Sequence, residues 1–144
     1  MQAYIEFFQA NPILSLAWVG LFSALVVTVI KASTSKVNNI SHQELTQLVN
    51  KQNAKVVDVR GKEDFRKGHI IDALNVTLAE IKNNQLTALE KYKASPIILV
   101  CKAGMTSSQA AQLLVKQGFE NIHNLKGGID DWQTANLPLV KSKK

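Results

Sequence analysis

The sequence predicts an α/β domain built on a parallel sheet with helices on both faces, preceded by one membrane-spanning helix. Three observations carry that prediction. The first 30 of the 144 residues hold a single ionisable side chain, Glu6, whereas all 17 Lys and Arg lie at or after Lys31. Short apolar, β-branched runs then alternate with helical patterns, the order expected of parallel strands joined by helical crossovers. Finally, the one cysteine of the chain, Cys101, falls at the end of the most apolar of those runs. The average composition, 46% hydrophobic and 19% charged with a mean hydropathy of -0.02, conceals this division. The net charge of +6 separates into -1 on the first 30 residues and +7 on the 114 that follow.

Ile13 to Ile30 is a run of 18 residues without a charge. At ~1.5 Å per residue it spans roughly 27 Å as a helix, close to the thickness of a hydrocarbon core. Asn11 and Pro12 supply an N-cap and a first-turn proline, and Lys31 ends the run. A domain of this size rarely hides a helix apolar on all sides. A cleaved secretory signal would open with basic residues and close at a small-residue cleavage site, and no Lys or Arg precedes this run. Lys31 and Lys36 follow it, with Lys51, Lys55 and Arg60 beyond, so the positive-inside bias places the C-terminal part in the cytoplasm. The expectation is a single-pass membrane protein, with residues 1–12 outside, 13–30 in contact with lipid, and Cys101 in a reducing compartment.

Residues 31–39 are polar and aperiodic and read as a linker. The domain follows over 40–140, with a basic tail at 141–144 containing Lys141, Lys143 and Lys144. Ser41-His42-Gln43-Glu44 fits a capping box, Ile40 and Leu45 fit a hydrophobic staple, and Leu45, Leu48 and Val49 supply one apolar helical face. Strands are predicted at Val56–Val59, Ala73–Val76, Pro96–Val100 and Asn121–Asn124. The continuous run at Pro96–Val100 is of the kind buried on both faces of a sheet. Helices are predicted at Lys62–Lys67, Leu86–Tyr92, Thr106–Gln117 and Ile129–Gln133.

Cys101 ends the buried strand, and Lys102-Ala103-Gly104-Met105-Thr106-Ser107 form a loop of mostly small residues opening the next helix. In open α/β sheets ligands bind at the carboxyl ends of strands, and a helix N-terminus there offers unpaired N–H groups to an anion. A thiol at that point ionises more easily, with Lys102 beside it. Position alone leaves two readings open, a reactive nucleophile or a small buried apolar residue.

The motif CKAGMTS at 101–107 resembles the active-site loop of rhodanese-type sulfurtransferases. So do the segments on either side. Asp58-Val59-Arg60, Gly68-His69-Ile70 and Ala73-Leu74-Asn75 resemble the DxR and GHIxGAxN signatures. Asn124-Leu125-Lys126-Gly127-Gly128, Trp132 and Leu137-Pro138 resemble the closing segment. The resemblance runs in order from about Ile40 to Val140. Asp72 stands where the signature usually has Gly, Thr77 where Pro often follows, and Ala103 is not basic.

The resemblance implies a rhodanese-like α/β fold with a central parallel sheet of about five strands flanked by helices on both faces. It implies that Cys101 carries a sulfane sulfur as a persulfide, taken from a donor such as thiosulfate and passed to a thiol or protein acceptor. Backbone N–H groups of Lys102 to Ser107 and the hydroxyls of Thr106 and Ser107 would hold the persulfide anion. No metal or organic cofactor is required. Asp58 and Arg60 read as a structural ion pair near the site. A phosphatase of similar architecture needs C-x5-R, and Ser107 occupies the arginine position. His42, His69 and His123 have no metal-ligand spacing with Cys101. The +7 charge is Lys-dominated, with few aromatics and no nucleic-acid motif, and suits an anionic membrane surface. A membrane protein is a further candidate partner. A reading of another class is a tethered, non-enzymatic interaction module on the same fold.

Overall fold

A computed structural model describes residues 1–34 and 37–142. The chain forms two compact units, 1–35 and 36–144. The first consists of helices α1 (Gln2–Ala10) and α2 (Pro12–Thr34). Pro12 opens α2 at the position where its missing N–H is not needed. Ser15, Ser23 and Thr28 donate their hydroxyls to the carbonyls of Asn11, Val19 and Ala24, one turn back, at 2.9, 2.8 and 2.7 Å. Their polar groups are thereby satisfied within the helix. Pro12–Ile30 has a mean hydropathy of 2.4, none of it is buried in protein, and it is long and apolar enough to cross a membrane. The 13–30 run lies inside α2, which continues four residues further.

The second unit alternates strand and helix: β1 (Asn38–Ile40), α3 (His42–Gln52), β2 (Lys55–Asp58), α4 (Lys62–Lys67), β3 (Leu74–Asn75), α5 (Leu78–Lys82), α6 (Thr87–Glu90), β4 (Ile97–Val100), α7 (Met105–Lys116), β5 (Ile122–Leu125) and α8 (Gly128–Thr134). The five strands make one sheet in the order β1-β5-β4-β2-β3, with every pair parallel. Two elements differ from the sequence expectation. Asn38 and Asn39, placed in the linker, form an edge strand paired with His123 and Asn124. Helix α5 was not expected, yet Thr77 caps it through a reciprocal box with Glu80. Residues 35, 36, 143 and 144 of the expected linker and tail lie outside the described residues.

Side-chain alternation along the strands divides the core in two. Val57, Ile97, Leu99 and Cys101 face the cluster that includes Ile81 of α5 and Ala110, Ala111 and Leu114 of α7. Val56, Ile98 and Val100 face Leu45 of α3 and Ile129 and Trp132 of α8. All four residues of β4 are fully buried, and burial of each side chain contributes on the order of 2 kcal/mol to holding the strand in place. Ser41 caps α3 as a capping box with Glu44, and Ile40 and Leu45 share one core cluster. Asp72 has φ 59, the left-handed conformation that explains a glycine at this place in related signatures and that Asp tolerates better than most residues.

The topology creates a crevice. From β2 the chain moves outward to β3, and from β4 it moves the other way to β5. The loops after β2 and β4 therefore diverge at the carboxyl ends of adjacent parallel strands, where open α/β sheets bind ligands.

Candidate active site

Cys101 leaves β4 at this crevice and is 4% exposed. The loop after it is held from behind by the start of α8. The carbonyls of Cys101 and Lys102 accept hydrogen bonds from the N–H groups of Ile129 and Asp130 at 2.9 and 3.0 Å. With the carbonyls turned that way, the loop's N–H groups face inward. The approach is close enough to require glycine. A Cβ on Gly128, whose φ is +59, would lie 2.4 Å from the Cys101 carbonyl oxygen. Gly104, at φ +96, makes the turn into α7.

The Cys101 sulfur accepts from the Gly104 N–H at 3.0 Å and from the Ser107 hydroxyl at 3.2 Å. Burial pushes the thiol up, but the Ser107 hydroxyl and the N–H groups of Ser107, Gly104 and Ala103 outweigh it and bring its ionisation below the ordinary thiol range. These donors favour the thiolate over the thiol.

In front of Cys101 lies a cavity of about 640 Å³. Lys102 of the loop, Lys67 of α4 and Lys141 line it with cations, Arg60 after β2 enters it paired to Asp58, Thr106 adds a hydroxyl, and Asp64 and Asp130 are its anions. The expected loop residues thus divide. Lys102 and Thr106 line the sulfur's cavity, whereas Ala103, Gly104 and Met105 line a second hollow on the side of Asn39 and Asn124. Of the two expected hydroxyls, it is that of Ser107 that lies at the sulfur.

Asp58 and Arg60 form a buried clamp. Arg60 Nη2 and Nε donate to the Asp58 carboxylate at 2.7 to 3.1 Å, and the Arg60 N–H donates to Oδ1 at 3.0 Å. Arg60 Nη2 also donates to the Gly68 carbonyl at 2.6 Å, and Asn75 donates to the carbonyls of Asp58 and Arg60. The turn after β2 is therefore fixed beside the cavity. The histidines lie elsewhere. His42 is 4.0 Å from Asp131, His69 stacks on Phe65 at 3.8 Å, and His123, whose pKa burial lowers, approaches Asn121 at 2.7 Å. Among the described residues no group of three His, Cys, Asp or Glu is placed to hold a metal.

One contributor enters the sequence reading only as part of the closing motif, not as a site residue. Asn124 on β5 is 3% exposed. Its Oδ1 accepts from Ser107 at 2.6 Å, and its Nδ2 donates to Asn39 Oδ1 at 3.0 Å and to the Gly104 carbonyl at 3.1 Å. The available signal was an amide within an apolar strand, a polar group that must find partners when buried.

A parallel five-stranded sheet with a cysteine cradled by amides at a strand end defines a rhodanese-type domain. Residues 41–135 match the rhodanese-like domain family, and the chain belongs to that family. Among its relatives is the YibN protein of Escherichia coli (strain K12), 46% identical over 143 residues, covering 99% of this chain and all of that one. The thiosulfate sulfurtransferase GlpE of Coxiella burnetii (strain RSA 493 / Nine Mile phase I) is 34% identical over 105 residues, 73% of this chain and 94% of that one. A rhodanese-like domain protein of Staphylococcus aureus superposes with a TM-score of 0.63 at 25% identity, covering 74% of this chain and all of that one. A rhodanese-related protein from Thermoplasma volcanium gives 0.64 at 23% identity, covering 73% and 99%.

Proposed function

We propose that this chain is a membrane-anchored sulfurtransferase whose Cys101 carries the sulfur in transit. The observation that carries the reading is the sulfur's position, facing loop amides and the Ser107 hydroxyl at the floor of a cationic cavity. The Cys101 thiolate attacks the outer sulfur of thiosulfate. A new S–S bond forms as the old one breaks, and sulfite leaves with the bonding pair. A thiophile such as cyanide or a thiol then attacks the outer sulfur of the persulfide, and the electron pair returns to Cys101 as thiolate. Lys102 and Lys141 favour an anionic donor at the mouth. Incubation of the full chain in detergent micelles with thiosulfate is expected to add one sulfur by intact mass, absent in Cys101→Ser. Neither adduct nor thiocyanate on adding cyanide would leave a non-enzymatic interaction module as the reading.

Residues 13–30 anchor the protein in the bacterial inner membrane, with 1–12 outside and the domain at 40–140 in the cytoplasm. Supporting this are the hydropathy of 2.4 over Pro12–Ile30 and the absence of Lys and Arg before Lys31. An impermeant thiol reagent applied to intact cells is expected to miss Cys101. Labelling there would reverse the orientation.

A further inference from the structure

The Ser107 hydroxyl has one proton and two acceptors within reach, Asn124 Oδ1 at 2.6 Å and the Cys101 sulfur at 3.2 Å. It cannot donate to both. Asn124 has no freedom to withdraw. Its Nδ2 is committed to Asn39 and to the Gly104 carbonyl, which fixes Oδ1 toward Ser107. Ser107 is fully buried and Asn124 nearly so, and inside the protein each unmet polar group is destabilising.

We propose that Asn124 is a positioning residue for Cys101, acting through Ser107 as a two-position hydroxyl switch. While Cys101 is a thiol, its S–H donates to Ser107 Oγ, and the Ser107 hydroxyl donates to Asn124. On loss of the proton the hydroxyl turns to the thiolate, and Asn124 Oδ1 loses its donor. Asn124 thus opposes ionisation of the resting thiol. In the persulfide the charge resides on the outer sulfur, the inner sulfur no longer competes for the proton, and the hydroxyl returns to Asn124. The switch therefore favours the loaded form over the free thiolate. This consequence rests on the sulfur-carrier reading, whereas the switch itself is a property of the thiol.

The charged groups around the front of Cys101 are Arg60, Asp64, Lys67, Lys102, Asp130 and Lys141, and Lys126 lines the hollow on the Asn124 side. None is altered by the variants below. Gly104 is also packed independently of Asn124, since a Cβ there would lie 3.2 Å from Gly127 N and from Leu125 O.

The test is the pH dependence of Cys101 alkylation by iodoacetamide, measured on the full chain in detergent micelles. Ser107→Ala is expected to raise the pKa read from that profile by about one unit, through loss of a hydrogen bond to the thiolate. Asn124→Ala is expected to lower it by about half a unit or more, because the hydroxyl no longer has a rival acceptor. In the Ser107→Ala background, Asn124→Ala is expected to lower it no longer. An unchanged or raised pKa in Asn124→Ala, or a lowering that persists without Ser107, would overturn the switch. Should Asn124→Ala fail to fold, Asn124→Leu serves. It is close to Asn in size and removes the rival acceptor, so the pKa is expected to fall, and an unchanged or raised value overturns the proposal. Sulfur loading by intact mass is read separately. Loss of loading with the expected pKa shifts would refute the carrier reading and leave the switch standing.

Discussion

Gly128 packs against Cys101 so closely that a Cβ on the glycine would lie 2.4 Å from the cysteine's carbonyl oxygen and 2.5 Å from that of Lys102. The contact lets α8 bind the loop's carbonyls and turn its amides toward the sulfur. Gly128→Ala combines this clash with a positive φ, so a loss of at least ~2 kcal/mol is expected. Thermal unfolding of the domain would show it as a fall of roughly 8 °C or more. Alkylation of Cys101 at neutral pH is expected to slow as the cradle opens, and a variant that unfolds and alkylates like the parent would contradict this account.

Arg60→Met is expected to destabilise the domain by about 3 kcal/mol, because it leaves the carboxylate of Asp58 buried without its partner. Asp58 is 1% exposed, and the Arg60 guanidinium covers both of its oxygens. Urea unfolding measures the loss. The double variant Asp58→Leu/Arg60→Met is expected to recover part of it, since no unpaired charge remains. Equal losses in single and double variants would mean that the pair is not what holds the turn.

Stability should also depend on pH through Cys101, whose folded-state ionisation lies below the ordinary thiol value of 9.0. Below both pKa values the thiol is protonated in folded and unfolded chains, and it contributes nothing. Between them the unfolded chain binds more protons, so stability rises with pH. The full contribution is present above the unfolded value and is lost as pH falls through the folded one. The stability difference between the parent and Cys101→Ser, followed by urea unfolding across that window, is expected to grow with pH. A flat difference would place the folded and unfolded ionisations together.

Thr77→Ala tests the cap of α5. The hydroxyl accepts from the Glu80 N–H at 3.3 Å, and the Glu80 carboxylate accepts from the Thr77 N–H at 2.7 Å. Its removal is expected to cost about 1 kcal/mol. The Glu80 carboxyl is held below its ordinary pKa first by the Thr77 N–H and then by the Thr77 hydroxyl, which donates to it at 2.9 Å. Urea unfolding that matches the parent would show α5 to be held by packing alone, through the fully buried Ile81.

The parts of this fold legible in the sequence were those with a strong local pattern. The apolar runs gave β2 and β4 to within a residue, and α4 falls on the predicted residues. Cys101 could be placed at a strand end because Pro96–Val100 is too short for a helix and too apolar for a surface. Strand β1 could not be read. Its Asn38 and Asn39 have no strand preference, and their conformation comes from pairing with β5, a partner more than 80 residues away. Helix α5 was missed although Thr77-Leu78-Ala79-Glu80 is a capping sequence, since only five helical residues follow the cap. Ser107 was named among the loop donors, but its distinction from Thr106 is set by the first turn of α7. Asn124 is a site residue only in three dimensions, where β5 aligns it with the loop after β4.

The two outer strands of the sheet also bear on life at high local concentration. β1 has three residues, two of them asparagine, and β3 has two. A protein confined to a membrane plane, as proposed for this chain, meets its own copies far more often than one free in solution. Long apolar margins would invite those copies to zip together strand by strand. Margins this short give a neighbouring copy almost no template, so the domain can be crowded on a surface and keep its strands to itself.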